Sequence, residues 1–136
     1  MKKLLYIVNV ALLCFCISSC SGTNDWNFAL PNDFEVWHIN STDIKIVYTG
    51  DEADIRGIPS FIKEFSFNNR YVCTRNVDKI EENNIFEEIY YILDTEDKIV
   101  YGPYDSISEF CASVDKLSFE IPMRWYRTSP TPSLNE

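Results

Sequence analysis

The chain has 136 residues, of which 46% are hydrophobic and 15% aromatic, and its formal charge at pH 7 is −9. This length fits one domain, since domains commonly run to about 100–150 residues, and the apolar content is too high for a disordered chain. The acidic excess argues against nucleic acid or anionic lipid as the main ligand, and five cysteines are too few for a disulfide-based scaffold.

The beginning of the chain has the pattern of an export signal. Two lysines precede an almost wholly apolar run over residues 4–17. As a helix this run would extend about 21 Å, which is short of the roughly 30 Å hydrocarbon core of a bilayer. The pattern therefore predicts a signal peptide over residues 1–19 rather than a transmembrane helix.

The residues around the predicted cleavage site resemble the bacterial lipobox. Positions 17–20 read ISSC, and in that family of signals the cysteine is lipidated and becomes the first residue of the mature protein. We expect Cys20 to be lipidated and residues 20–27 to form the lipidated cysteine and its tether. The alternative is an ordinary secretory signal with an accidental cysteine.

Lipidation predicts where the protein resides. Removal of residues 1–19 takes away two of the 12 basic side chains and none of the 21 acidic ones, which leaves 117 residues with a side-chain charge of −11. Two or more acyl chains, such as palmitate, anchor stably at about 0.8 kcal/mol per buried CH₂. The expected location is the bacterial cell envelope, as a lipid-anchored membrane protein. Ser21, where an aspartate would resemble an inner-membrane retention signal, allows an outer membrane facing the periplasm.

Alternating apolar and polar residues recur along the body of the chain and predict strands joined by short turns. Turn residues at 40–42, 68–69 and 94–97 separate consecutive runs, which predicts hairpins. The predicted strands cover 34–39, 44–48, 65–67, 70–75, 89–93 and 98–101. We expect a single β-rich domain over residues 28–127, followed by a disordered tail over 128–136.

One segment has helical spacing. Ser106 and Glu109 match a capping box, in which the serine side chain accepts from the third helical amide. The expected apolar stripe consists of Ile107, Phe110, Cys111, Val114 and Leu117. A last strand over 119–125 would lie at an edge because of its proline. The predicted class is α+β: an antiparallel β-meander of about six strands with one C-terminal helix packed on the sheet.

Two stretches resemble a family of short uncharacterised bacterial lipoproteins. YYILDTEDKIVYGPYDSISEFCASVDKL, residues 90–117, is similar to the end of that family, with a strand ending in Asp, a turn, a "VYGP" strand and a closing helix. FALPNDFEVWHINSTDIKIV, residues 28–47, resembles the family's first hairpin. The resemblance implies a compact domain and no known activity. The chain departs from the family in its acidic insertion around 78–88 and its proline-rich tail.

The sequence supplies no set of residues that amounts to an active site. His38 is the single histidine, and its position in a strand favours a buried or half-buried structural role over catalysis. There is no Gly-x-Ser-x-Gly motif, and four glycines in the chain provide no phosphate-binding loop. We therefore predict no catalytic residues, metal site, cofactor or small-molecule substrate.

Two cysteines remain after the signal peptide and Cys20 are set aside. Cys73 lies in a predicted strand and Cys111 in the predicted helix. If the helix packs over that strand, outside the cytoplasm they could form a disulfide worth roughly 3–4 kcal/mol in the chain-entropy model. The alternative is two buried thiols that act as small apolar side chains.

Acidic residues give the strongest remaining signal. Between Asp78 and Asp97 there are eight carboxylates and one lysine. The structural interpretation is a solvated loop whose charge opposes edge-to-edge aggregation. The functional interpretation is a non-enzymatic binding module that presents an acidic face to a basic envelope protein. Candidate residues for this contact are Glu81, Glu82, Glu87 and Glu88.

Abundant aromatic residues support an alternative function. Exposed tryptophan or tyrosine side chains can stack on sugar rings or anchor a protein contact. A structural or assembly lipoprotein that contacts glycan or peptidoglycan through aromatics is therefore the second hypothesis.

Overall fold

The computed structural model describes residues 25–80, 85–121, 124–128 and 133–134, and the side chains of these residues except 78–80, 85 and 133–134. The predicted signal peptide and Cys20 lie outside the described residues. The helix α1 spans Ile107–Leu117. The strands are β1 (Trp26–Ala29), β2 (Phe34–His38), β3 (Ile44–Tyr48), β4 (Ile62–Phe67), β5 (Tyr71–Ile80), β6 (Ile85–Asp94), β7 (Ile99–Tyr104), β8 (Tyr126–Arg127) and β9 (Ser133–Leu134).

The strands form two antiparallel sheets. The small sheet has the order β1-β2-β3, and the large sheet has the order β7-β6-β5-β4-β8-β9. Consecutive strands from β4 to β7 pair as hairpins, as do β1 to β3. The predicted α+β class is confirmed, but the prediction of one meander of about six strands is corrected, because the described strands are more numerous and are divided between two sheets.

The connection between β3 and β4 carries the chain from one sheet to the other. Part of it runs beside β3, where the Ile46 amide donates to the Ile58 carbonyl at 3.0 Å. A Cβ atom at Gly57 would lie 1.9 Å from the Ile46 carbonyl oxygen, so only glycine fits this close approach. The meander ends at this connection, which no local pattern in the sequence predicts.

The fold has three layers, because the side chains of the large sheet point alternately to its two faces and each face is covered. The small sheet packs on one face of the large sheet and α1 packs on the other. The core between the sheets consists of Leu30, Phe34, Val36, Ile44, Ile46, Ile58, Ile62, Phe65, Val72 and Leu93. The core beneath the helix consists of Cys73, Tyr90, Ile92, Phe110 and Val114. Neighbouring residues of β5 and β6 therefore enter different cores, because successive side chains of a strand point to opposite faces.

Three turns meet at one end of the fold, which we call the triple-turn end. Arg70, after β4, donates from Nε and Nη2 to the Asp94 carboxylate at 3.0 and 2.7 Å. The amide and hydroxyl of Thr95 donate to the Arg70 carbonyl at 2.9 and 2.6 Å. Asn32, between β1 and β2, donates to the Thr95 hydroxyl at 2.8 Å. These bonds tie both sheets together at this end.

The predicted turn at Asn68-Asn69 is confirmed with a different mechanism. Asparagine is common in turns because it tolerates a positive φ, but neither asparagine of this turn has one. Instead, the Asn68 side-chain oxygen accepts from the amides of Arg70 and Tyr71 at 2.8 and 2.7 Å. The side chain replaces a backbone acceptor and so stabilises the turn.

Strand pairing and hydrogen bonds include residues on both sides of the expected domain range 28–127. Trp26 and Asn27, assigned to the tether, begin β1 and pair with β2. Thr128, assigned to the tail, is 1% exposed and its hydroxyl donates to the Ile62 carbonyl at 2.9 Å. Ser133–Leu134 pairs with β8. The expected boundaries rested on local polarity, whereas long-range pairing and hydrogen bonds position these segments.

Two other local predictions are corrected. The acidic segment expected as a loop belongs to strands β5 and β6 over 78–80 and 85–88. A strand was expected over 119–125, but residues 119–121 and 124–125 have no strand pairing, and the strand after the helix is Tyr126–Arg127. In the part of the chain that the structure describes, no helix has the length and apolarity needed to cross a bilayer.

Candidate functional site

The candidate site lies between α1 and the large sheet. The helix begins after Ser106, whose hydroxyl accepts from the Glu109 amide at 3.2 Å, as the capping box predicted. It ends at Ser118, which has a left-handed φ of 57°. Only Phe110 and Val114 of the helix are buried. The partly buried Leu117 also packs against the core beneath the helix, and a groove remains open beside the helix.

This groove, which we call the helix groove, has a volume of about 420 Å³. Its walls combine apolar and aromatic side chains with one ion pair. The lining residues are Glu64, Arg75, Tyr90, Ile107, Phe110, Ile121 and Trp125. Ile107 is 57% exposed, so it forms an apolar rim rather than part of the core.

The charged side chains of the groove form a connected network. Arg75 donates to Glu64 on β4 at 2.9 Å and to Glu88 on β6 at 2.8 Å. The Tyr90 hydroxyl donates to the second Glu88 oxygen at 2.7 Å. The strand register places Arg75 between the two carboxylates, since it pairs with Glu64 on one side and Tyr90 on the other.

This network determines protonation in the groove. The hydrogen bond from Tyr90 lowers the pKa of Glu88, and the positive charge of Arg75 adds to that effect against a smaller effect of burial. Burial, together with the bond to the Glu88 carboxylate, raises the pKa of Tyr90 to about 12. At neutral pH the network therefore holds Glu88 as a carboxylate and Tyr90 as a neutral phenol.

A second cleft of about 360 Å³ adjoins the helix groove, and we call it the acidic cleft. It is lined by Glu87, Glu88, Tyr90, Asp105, Ser106 and Ile107. The two clefts share Tyr90 and Ile107 as lining residues, so they are neighbours, and we call the two together the depression. The side chains of Glu87 and Asp105 have no ion-pair or hydrogen-bond partner among the described residues. The acidic cleft therefore keeps a net negative charge that no described basic side chain neutralises.

The candidate residues from the sequence are only partly brought together. Glu87 and Glu88 line the acidic cleft, whereas Glu81 and Glu82 lie outside the described residues. Sequence reasoning missed Glu64, Arg75 and Asp105 as parts of the same depression. A cross-strand pairing of opposite charges was the available signal, but it becomes visible only when the strand register is known.

The structure gives the Cys73–Cys111 pairing no support. Both cysteines are free thiols; Cys73 is buried beneath the helix and Cys111 is exposed. Of the expected apolar stripe, Phe110 and Val114 are buried against the sheet, whereas Ile107 and Cys111 are exposed. Burial raises the pKa of the Cys73 thiol to about 12, which makes it unreactive near neutral pH.

His38 belongs to the small sheet and not to the depression. It is 8% exposed and stacks on Trp26 with ring centroids 5.0 Å apart. Its Nδ1 atom has no hydrogen-bond partner among the described residues. Those residues also contain no group of three or more His, Cys, Asp or Glu side chains arranged to hold a metal ion. The arrangement is suited to non-covalent contact: an apolar groove beside a negatively charged cleft.

The fold and the depression define a small α+β domain with two antiparallel sheets, a covering helix and an acidic surface cleft. The chain belongs to the family described as "Protein of unknown function (DUF3997)", whose family model matches residues 31–123, more than half of the chain. This match agrees with the sequence resemblance to a family without a known activity. Neither the curated proteins nor the solved structures compared include a match.

Proposed function

We propose that the protein is a lipid-anchored module of the bacterial cell envelope that binds a basic segment of a partner protein in the depression between α1 and the large sheet. The observation that carries this proposal is that the apolar helix groove lies next to the acidic cleft, with Tyr90 and Ile107 lining both. The module acts by binding and carries out no chemical reaction of its own.

Support for the anchor comes from the sequence. The two lysines, the apolar run and the ISSC sequence at 17–20 together fit a lipoprotein signal. An acidic body needs such an anchor, because charge alone repels it from a membrane containing anionic lipids. Cys20 is the proposed site of lipidation.

Support for a basic occupant comes from charge complementarity. Arg75 is already paired with Glu64 and Glu88, so it offers little attraction to an anion. Glu87 and Asp105 remain available to a cation. Complementary charge accelerates encounter and selects the partner, while an apolar side chain in the adjoining groove adds affinity.

The first experiment measures binding of defined peptides to the purified, lipidated protein in detergent, by fluorescence anisotropy. One peptide alternates lysine with leucine, a second replaces each lysine with glutamate, and a third replaces each leucine with serine. We expect the first to bind tightest and the second not to bind. High salt should weaken binding of the first peptide, since exposed charges are screened beyond about 3 Å at 1 M salt.

Matched charge variants test the location. Glu87→Gln with Asp105→Asn removes two charges from the acidic cleft and leaves the Arg75 network intact. Asp51→Asn with Asp54→Asn removes two exposed charges from the β3–β4 connection. We expect the first pair to weaken peptide binding about three- to tenfold and the second to leave it unchanged. Equal effects of both pairs would refute the cleft as the binding site.

Capture from detergent-solubilised envelopes at low and high salt then identifies the natural partner. A basic protein retained only at low salt, and lost with the cleft variant, supports the proposal. Retention of glycan-bearing material at both salts would overturn it in favour of the aromatic, glycan-binding alternative.

A further inference from the structure

The small sheet has one end close to the proposed anchor. β1 begins at Trp26, which pairs with His38 at the end of β2. The turn between β2 and β3 therefore lies at the same end, since His38 also pairs with Ile44. The triple-turn end, which contains Asn32, lies at the opposite end of β1 and β2. We call the end with Trp26 the anchor-side end.

The distance between this end and the bilayer has a strict upper limit. Six Cα–Cα steps separate Cys20 from Trp26. A fully extended chain covers at most about 3.6 Å per residue, so Trp26 lies within about 22 Å of the Cys20 Cα atom whatever the conformation between them. If Cys20 is lipidated, its backbone lies at the headgroup region, which keeps the anchor-side end beside the membrane surface.

Apolar side chains are exposed at that end. Trp37 is 39% exposed and Ile39 is 42% exposed. Alternation along β2 explains this: Val36 and His38 point into the core, so Trp37 and the residue after the strand point outwards. With Trp26 and neighbouring residues they line an open cleft of about 300 Å³. Tryptophan is the side chain most typical of the membrane–water interface, because its large ring is apolar and its N–H is polar.

We propose that the outer face of β2 at the anchor-side end rests on the bilayer surface, with Trp37 and Ile39 in the headgroup region. The inference rests on the proposed lipid anchor. Because the anchor already holds the protein at the membrane, a weak second contact suffices to set its orientation, as in any tethered two-point attachment.

The local charges specify which lipids favour this contact. Asp25, Glu35 and Asp43 lie at or near this end, and Lys45 is the neighbouring basic residue, paired with Asp43 at 3.5 Å. The Trp37 indole N–H donates to Glu35 at 2.8 Å, so the carboxylate remains beside the ring. The net negative charge makes contact stronger on a zwitterionic surface than on an anionic one.

The test uses the full lipidated protein in phosphatidylcholine vesicles, with and without bromine atoms on the acyl carbons nearest the headgroups. Bromine quenches tryptophan only at close range. The protein has three tryptophans, so quenching of Trp37 alone lowers total emission by up to about a third. We expect Trp37→Phe to abolish most of the quenching and Trp125→Phe, which changes the helix groove instead, to preserve it.

Two results would overturn the inference. Quenching that persists in Trp37→Phe would mean that Trp37 does not lie in the headgroup region, and quenching that also persists after Trp26→Phe is added would place another part of the protein on the membrane. Stronger quenching when phosphatidylglycerol replaces a third of the phosphatidylcholine would mean that a basic face makes the contact.

Sedimentation with the vesicles separates this inference from the proposed anchor. Protein that sediments with vesicles but shows no quenching refutes only the contact between the outer face of β2 and the bilayer. Protein that stays in the supernatant refutes the lipid anchor, and the proposed contact of β2 is then refuted as well.

Discussion

The attachment of α1 to the large sheet depends on very few side chains, which makes Phe110 a sharp test of the fold. Phe110 is 1% exposed and packs against the Tyr90 ring with centroids 5.3 Å apart. A buried phenylalanine removes roughly 150–250 Å² from water. At about 25 cal/mol per Å² this corresponds to about 4–6 kcal/mol, an upper limit because the unfolded chain already buries part of that area. We expect Phe110→Ala to lower the free energy of unfolding by about 3–4 kcal/mol.

Ile107 provides the matched control on the same helix. The sequence pattern placed both residues on one apolar stripe, but Ile107 is 57% exposed. The lost burial amounts to about 1 kcal/mol or less, and the better helix propensity of alanine offsets part of it. We therefore expect Ile107→Ala to change stability by less than about 1 kcal/mol, while weakening peptide binding in the helix groove.

Urea unfolding followed by circular dichroism and tryptophan fluorescence measures both variants, with Trp125 reporting on the groove. The reasoning would be refuted if Ile107→Ala cost as much as Phe110→Ala, since the helix would then present a different face to the sheet. A separate early transition in Phe110→Ala would show that the helix detaches before the sheets unfold.

Three further predictions follow from buried polar and sulfur groups. Burial alone would raise the pKa of Asp94, but hydrogen bonds from Arg70 and from turn amides outweigh this effect and lower that pKa. The stability that these bonds contribute is present above about pH 4. It is lost as the pH falls through the folded-state pKa. Urea titrations at pH 7 and pH 3 should therefore show a smaller pH effect in Asp94→Asn than in the unchanged protein, and equal effects would contradict the depressed pKa. Maleimide labelling at pH 8 should detect a fast-reacting thiol in Cys73→Ser and none in Cys111→Ser. A Cys73–Cys111 disulfide found by mass spectrometry under non-reducing conditions would contradict the free thiols. Thr128→Val should cost about 1 kcal/mol of unfolding free energy through its lost hydrogen bond, and no change would mean that the chain is not fixed at this position.

The hairpins and the helix were predictable because their signals are local. The Asn40 side-chain oxygen accepts from the amides of Thr42 and Asp43, which fixes the β2–β3 turn within four residues. Ser106 begins the helix through a bond to an amide three residues away. Such bonds depend on residue type and spacing alone, so the sequence reveals them directly.

The division into two sheets was not predictable in this way. It depends on the close approach of Gly57 to β3 and on ring packing between the sheets, such as Phe28 against Phe65 at 5.3 Å. These contacts join residues that are distant in sequence. β1 was missed for the same reason, because Trp26 lies in a polar stretch and becomes a strand only by pairing with β2.

For the candidate site, only the acidic composition was predictable from the sequence. The acidic excess identified Glu87 and Glu88 as part of a negatively charged surface. It could not show that Arg75 neutralises Glu88 while Glu87 and Asp105 stay unpaired among the described residues, because that distinction depends on the register between β5 and β6 and on the position of the helix.

The triple-turn end also has a consequence for the order in which the chain assembles. The β4–β5 and β6–β7 hairpins close over short loops, and local contacts of this kind form early in folding. The bond between Asn32 and Thr95 instead closes a separation of 63 residues, and the entropy lost in closing a loop rises with its length. We therefore expect the large sheet to form first and the docking of the small sheet to limit the folding rate. If the chain is exported as proposed, the small sheet leaves the secretion channel first, and its apolar face stays uncovered until β4 to β7 have followed.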